Sequence, residues 1–174
     1  MNRRFVSPLL RLVDRLSPPE RVSAHCDIPC GIYDPHAAQI AALTIVRMNQ
    51  LIDQMAPPDM NDKAARTAGF NSMARYVQVK EEHSEVCKKE LDILWHDYFR
   101  PEHLEKYPDL HSKFWNAAKL ASKNKQTVDL AAAEQLLGAV REIAQIFWDS
   151  KGVATRVAAS NQAVGGELVY VDNR

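Results

Sequence analysis

The longest regular stretch of the chain is residues 61–99, NDKAARTAGFNSMARYVQVKEEHSEVCKKELDILWHDYF. Its apolar side chains recur at close to heptad spacing, which places them along one face of an α-helix. This apolar seam consists of Phe70, Met73, Val77, Cys87, Leu91, Leu94 and Tyr98. Asn61-Asp62 supplies an N-terminal cap, and Arg100-Pro101 ends the pattern. The stretch therefore predicts one long amphipathic helix.

Three further amphipathic helices are predicted around this long one. They begin at Asp34-Pro35, at Pro108 and at Thr127 or Asp129, and they end near Met55, past Leu120 and at Gly152. Capping residues and prolines mark the starts, whereas Pro57-Pro58 and a glycine mark two of the ends. Four such helices with short connections predict an all-α protein, an antiparallel four-helix bundle over residues 36–152.

Length and charge exclude several classes of partner. The 174 residues are enough for one sizeable core, so a single bundle is expected. Lysine and arginine number 22, and so do aspartate and glutamate, a balance that gives no support to a nucleic-acid groove. No run of about 18 apolar residues is present, so we expect no membrane span. We therefore predict a cytoplasmic protein without nucleic-acid or membrane partners.

Both ends of the chain differ from the bundle. Residues 1–24 carry five arginines and two acidic residues, a net charge of +3, and charged residues interrupt their apolar positions. They lack the uninterrupted apolar stretch of an export signal, and are either a terminal helix or a removable leader ending at Ala24. Residues 153–174 are predicted to be a C-terminal extension, disordered or ordered only against a partner, with 167–171 as a candidate strand.

Several potential metal ligands lie in one short segment, residues 25–35, HCDIPCGIYDP. Pro29 and Gly31 disfavour a helix there, so the segment is predicted to be a loop. His25, Cys26 and Cys30 fall within six residues. A disulfide between the two cysteines is one interpretation, although the missing export signal argues against it. Structural zinc is a second interpretation, but it needs four ligands, and the remaining cysteine, Cys87, lies on the apolar seam.

A transition-metal hook is the third interpretation of this loop. Cleavage before His25 would free an α-amine beside its own imidazole, and the amine titrates near pH 8. The amide nitrogen of Cys26 and the thiolates of Cys26 and Cys30 would complete a plane of nitrogen and sulfur donors. Such a tetragonal donor set suits Ni(II) or Cu(II) better than tetrahedral zinc.

The loop resembles the nickel hook of the nickel superoxide dismutase family, whose motif reads HCD-x-PCG-x-YDP. The resemblance extends over roughly residues 25–152 and includes a leader that is removed to expose the histidine. Further matching residues follow in the expected order: 80–82, 90–99, Pro101, His103, 107–111 and 146–148. The chain is thus identified from its sequence as a member of that family.

This resemblance assigns roles to individual residues. It implies that His25, Cys26 and Cys30 bind nickel, with His25 giving the α-amine and an axial imidazole. It implies that Tyr33 controls the access of small anions. Asp27 and Tyr98 match residues that support the pocket.

The resemblance also implies an activity and an assembly. Nickel alternating between +2 and +3 would convert superoxide to dioxygen and hydrogen peroxide, after a leader protease has removed residues 1–24. Family members are homohexamers, so we expect an oligomer. Two alternatives are a non-enzymatic nickel- or copper-binding helical module, and a disulfide-looped bundle that only mediates contacts.

Two positions depart from the family pattern. Members often orient the axial imidazole with a glutamate in the first helix and an arginine in the second. Ala41 and His83 stand at these positions here. Because groups that hydrogen-bond a ligand imidazole tune its basicity, this departure predicts a different support for His25, with His83 as a candidate substitute.

Overall fold

The computed structural model describes residues 30–172, in which five α-helices are followed by a two-stranded antiparallel sheet. The elements are α1 His36–Asp53, α2 Lys63–Ile93, α3 Pro101–Lys106, α4 Leu110–Gln126, α5 Leu130–Ser150, β1 Thr155–Ala159 and β2 Glu167–Val171. A single π-helical turn, Leu94–Tyr98, continues α2. No helix in this part of the chain has the length and hydropathy needed to cross a bilayer.

The four long helices form the predicted antiparallel four-helix bundle. α1 and α4 each pack against both α2 and α5. The backbone N–H of Asp129, at the start of α5, donates to the side-chain oxygen of Asn49, near the end of α1, over 2.9 Å. At the opposite end, Tyr33 before α1 contacts Tyr98, which contacts Phe147 near the end of α5. Neighbouring helices therefore run in opposite directions, and the predicted fold class is confirmed.

The predicted seam of α2 is correct in its C-terminal half and wrong in its N-terminal half. Cys87 and Leu91 are buried, whereas Phe70 is 58% and Met73 36% exposed. At about 1.5 Å per residue, the 31 residues of α2 extend well beyond the 17 of α4. Lys80 already lies level with the end of α4, so earlier turns of α2 pass beyond that helix.

The loop between α1 and α2 accompanies this overhanging part of α2. Pro58 lies directly over Gly69, where an added Cβ would come within 2.8 Å of the proline ring. Such a distance is a clash, so the close approach of loop and helix requires glycine at this position. The loop covers too little of the helix to bury a full apolar face.

The region after α2 is more ordered than the sequence predicts. The predicted helix ends in a π-helical turn closed by the Phe99 N–H and the Leu94 carbonyl, 2.9 Å apart. The predicted loop before Pro108 contains the short helix α3. The backbone N–H of Arg100 donates to Nδ1 of His103 over 2.9 Å, which caps α3.

The expectation of a disordered C-terminal extension is wrong for residues 155–171, whereas the candidate strand at 167–171 is confirmed. β1 and β2 form a hairpin in which Val157 lies opposite Val169. Leu168 and Val169 are buried. The side chain of Gln39, in α1, donates to the Val169 carbonyl over 3.2 Å and accepts its N–H over 2.7 Å. This contact links residues 130 positions apart, which local sequence patterns do not reveal.

A buried lysine joins α2 to the end of α4. The Lys80 side chain is 1% exposed. Its ammonium donates to the carbonyl oxygens of Asn124, Lys125 and Thr127, the last over 2.9 Å. Burial lowers the pKa of Lys80, and the nearby Glu81 carboxylate opposes that shift. The lysine thereby satisfies carbonyls that the helix terminus leaves without partners.

We expect Lys80→Met to lower the free energy of unfolding by about 2–4 kcal/mol, because it leaves buried carbonyl oxygens without a donor. Urea denaturation of the metal-free chain at fixed concentration measures this loss. Lys89→Met makes the same substitution at an exposed position of α2, and should change stability by less than about 0.5 kcal/mol. Equal stability of the two variants would contradict a structural role for the Lys80 ammonium.

Candidate metal centre

The predicted nickel ligands lie at the N-terminal edge of the described chain. Cys30 is described, and its thiol is exposed. His25, Cys26 and Asp27 lie outside the described residues, as does the predicted leader, so these assignments stay predictions. Two thiolates, an imidazole and an α-amine nevertheless form a donor set that suits nickel.

The rest of the described chain offers no competing metal site. Among residues 30–172, no group of three or more histidine, cysteine, aspartate or glutamate side chains is arranged to hold a metal ion. Cys87 is fully buried, and burial raises the pKa of its thiol to about 12. A neutral, enclosed thiol is a poor ligand, because metals bind the thiolate. The prediction that Cys87 only packs in the core agrees with this position.

Tyr33 and Tyr98, both predicted from the sequence as site residues, lie together. Tyr33 is half-buried just before α1, and its ring centroid lies 5.6 Å from that of Tyr98, with the planes tilted by 57°. The side chain of Asp34 accepts the N–H of His36 over 2.7 Å, which fixes the chain between Tyr33 and the first turn of α1. The two tyrosines therefore form one aromatic pair.

A serine at the end of α5 orients the Tyr98 hydroxyl. The two hydroxyl oxygens, of Tyr98 and Ser150, are 2.7 Å apart. Ser150 donates its only hydroxyl proton to the Phe147 carbonyl over 2.6 Å. Tyr98 is therefore the donor to Ser150, and its oxygen keeps lone pairs free to accept a further hydrogen bond.

The Tyr98 ring is enclosed by aromatic side chains. His103 stacks on it with planes at 14° and centroids 5.6 Å apart, and Phe147 lies 4.5 Å away. Lys151 places its ammonium 4.8 Å from the centroid of Phe147 and 5.5 Å from that of Tyr98. A cation thus lies over the aromatic cluster that holds the tyrosine pair.

Two elements keep this cluster in place. The π-helical turn inserts an extra residue before Phe99, which sets the direction of Tyr98 at the end of α2. Asp149 accepts hydrogen bonds from Lys106, over 2.9 Å, and from Tyr107, which attach the end of α3 to α5. These two hydrogen bonds hold the pKa of the Asp149 carboxyl below its usual range.

Sequence reasoning missed Ser150 and Lys151, and it named His103 only as a residue that matches the family pattern. Ser150 and Lys151 come two and three residues after the matched residue Trp148, and this proximity was the available signal. Their approach to Tyr98 depends on the packing of α2 against α5.

The two positions that depart from the family pattern have different environments. Ala41 is 1% exposed and packs in the core of the bundle. His83 is half-buried, and its Nδ1 lies 2.9 Å from the Val79 carbonyl oxygen. Because a carbonyl only accepts, Nδ1 carries the proton, and Nε2 of the neutral ring is an acceptor. His83 therefore has one ring nitrogen, Nε2, left for a further contact, where an arginine would offer several donors.

The described residues thus form a helical bundle that follows directly on the loop in which the sequence places thiol and imidazole donors. The model of the family described as nickel-containing superoxide dismutase matches residues 20–151. The chain belongs to the nickel-containing superoxide dismutase family. The fold and the hook motif agree with that membership.

Individual relatives agree with the family model. The chain is 36% identical over 141 residues to the nickel superoxide dismutase of Streptomyces seoulensis, an alignment that covers 80% of this chain and 98% of that protein. The corresponding protein of Streptomyces coelicolor is 35% identical, with the same coverage. A crystal structure of a nickel-containing superoxide dismutase superposes with a TM-score of 0.63 at 34% identity, covering 74% of this chain and 99% of that one. The hairpin at residues 155–171 lies beyond the family match.

Proposed function

We propose that this protein is a nickel superoxide dismutase, which converts two superoxide anions and two protons to dioxygen and hydrogen peroxide. The observation that carries the proposal is the complete donor set of His25, Cys26 and Cys30 in a chain of this family. Nickel, when bound, supplies one-electron chemistry by alternating between the +2 and +3 states. The non-enzymatic metal-binding alternative is not favoured by the family match.

The residues around the hook have distinct tasks in this proposal. Cys26 and Cys30 supply thiolates, and His25 supplies its α-amine and imidazole. Tyr33 limits access to small anions, and its contact with Tyr98 supports that restriction. Tyr98 donates to Ser150, which leaves lone pairs of the phenol oxygen able to accept a further hydrogen bond. Asp27 supports the pocket as the family pattern implies.

We further propose a homohexamer in the cytoplasm whose residues 1–24 are removed by a leader protease. The family resemblance supports the hexamer, and a large exposed apolar side chain such as Phe70 suits a subunit contact. Reduced thiols persist in the cytosol, and an exposed Cys30 thiol needs that condition to remain a ligand. Removal of the leader is supported by the need for a free amine at His25.

Stopped-flow measurement of superoxide decay tests the function directly. The chain starting at His25 is prepared metal-free and then loaded with either nickel or zinc. We expect fast, catalytic decay with nickel at one ion per chain and background decay with zinc or no metal. Absence of activity in the nickel-loaded protein would contradict the proposed enzymatic function. Equal activity with zinc would contradict the assignment of nickel as the catalytic metal.

Lys151 is proposed to attract the anionic substrate toward the tyrosine pair. We expect Lys151→Gln to lower kcat/KM about threefold at low ionic strength, and the loss to vanish in high salt because salt screens the charge. Lys119→Gln is the matched control, since Lys119 also lies over an aromatic ring, that of the exposed Trp115, at 4.4 Å. Equal effects of the two substitutions would contradict a local role for Lys151.

A further inference from the structure

The C-terminal hairpin has one edge, β2, that is hydrogen-bonded to the bundle at its central residue, and one edge, β1, that has no such contact among residues 30–172. In an antiparallel pair, alternate residues direct their backbone N–H and carbonyl groups toward the partner strand and away from it. Hydrogen bonds from Asp172 to Ala154 and from Ser160 to Gly166 flank the hairpin. This register turns the backbone groups of Thr155, Val157 and Ala159 outward, and no described residue hydrogen-bonds them.

On the opposite edge of the hairpin, that of β2, an outward residue is hydrogen-bonded by a side chain of the bundle. Val169 is the central one of the three outward residues of β2, and the side chain of Gln39 accepts its N–H and donates to its carbonyl. β1 lacks such a partner within residues 30–172. It also lacks the proline or lysine that protects many exposed edges. Its single charge, Arg156, lies 5.7 Å from the Tyr170 ring of its own hairpin and so does not guard the edge.

We propose that β1 pairs with β1 of a second copy of this chain, which joins the two hairpins into a four-stranded antiparallel sheet. A two-fold axis at Val157 brings the two valines opposite each other, and Val157 is 41% exposed in the single chain. Thr155 of one copy then lies opposite Ala159 of the other. All outward N–H and carbonyl groups of both strands find partners.

The side chains of the strand suit this self-pairing. The same register places Arg156 of one copy opposite Ala158 of the other, so no like charges face each other directly. β-Branched Thr155 and Val157 favour an extended backbone. A hairpin that docks through α1 on a bundle is also held rigidly, which lowers the entropic cost of pairing its edge.

Residue-resolved hydrogen exchange of the unmodified protein provides the first test. At concentrations where copies associate, the amides of Thr155, Val157 and Ala159 should exchange as slowly as those of the inward residues Arg156 and Ala158. On dilution the outward amides should become fast, while the inward ones stay slow. Fast exchange of the outward amides at all concentrations would overturn the proposal. The β1 edge would then fit an extended segment of a different protein as its partner.

A backbone substitution provides the second test. Val157→Pro removes an outward N–H without removing a hydrogen bond inside the hairpin, and sheet edges tolerate proline. Val157→Thr is the control, because it keeps the N–H and the branched shape. Sedimentation velocity at the same protein concentration should give Val157→Pro a lower mass than the wild type, and Val157→Thr the mass of the wild type. Equal masses for all three would overturn the proposal, whether or not superoxide dismutase activity is present.

Discussion

Serine at either hook cysteine should leave the processed protein with almost no nickel and no superoxide dismutase activity. Cys26→Ser and Cys30→Ser each replace a soft, anionic sulfur by a neutral hydroxyl, which is a weak donor for nickel. We expect the activity loss to exceed the roughly 100-fold that follows when only a partner of a metal ligand is removed. Nickel content by elemental analysis and superoxide decay by stopped flow measure the two effects on the same samples.

The third cysteine provides the matched control. Cys87 is fully buried, with its thiol pKa raised to about 12, so it does not compete as a ligand. Cys87→Ala should lower stability, since it removes a packed sulfur, but should keep one nickel per chain and normal activity. Nickel binding that survives both hook substitutions, or is lost with Cys87, would contradict the assigned ligand set.

The helices were predictable because their signals are local. Caps, prolines and apolar spacing lie within each segment, and the structure confirms the four-helix bundle that they indicate. The prediction that Phe70 and Met73 are buried with the rest of the α2 seam was wrong, because burial depends on whether a neighbouring helix extends as far as those residues. Helix periodicity identifies a face but does not give the length of the neighbours that cover it.

The C-terminal hairpin was not predictable in the same way. The apolar run of β2 marks it as a candidate strand, but β1 has no comparable run, and the hairpin is ordered by Gln39 and by the buried Leu168 and Val169, which meet the bundle only after folding. A polar glutamine in the first helix gives no local sign that its amide serves a strand 130 residues later.

The candidate site likewise has residues that local sequence signals predict and residues that only the folded structure brings in. The metal donors of the loop at residues 25–35 could be predicted because they are closely spaced in the sequence. Tyr33 and Tyr98, also predicted as site residues, lie together in the structure. Ser150 and Lys151 join that pair through the packing of α5 against the π-helical turn. Helical periodicity does not predict such a turn, because it adds a residue to the regular repeat.

Processing before His25 should switch the enzyme on. With residues 1–24 attached, the His25 nitrogen is an amide, whose lone pair is delocalised and which must lose a proton of very high pKa to bind a metal. Freed as an α-amine, the same nitrogen titrates near pH 8 and binds as the neutral base. We therefore expect the full-length chain to form the helical bundle, to bind little nickel and to show almost no superoxide removal, whereas the chain that starts at His25 has both.

Chains that start one residue before or one residue after His25 test whether the effect depends on the α-amine of His25 itself. Starting at Ala24 displaces the amine by one residue, and starting at Cys26 removes the His25 imidazole, so both should remain nearly inactive although both lack the bulk of the leader. Circular dichroism verifies that each chain is helical, and nickel content and superoxide decay are measured on the same preparations. A chain starting at Ala24 that matched the one starting at His25 would show that the leader acts only by crowding the hook. Full activity of the uncleaved chain would remove the α-amine from the ligand set altogether.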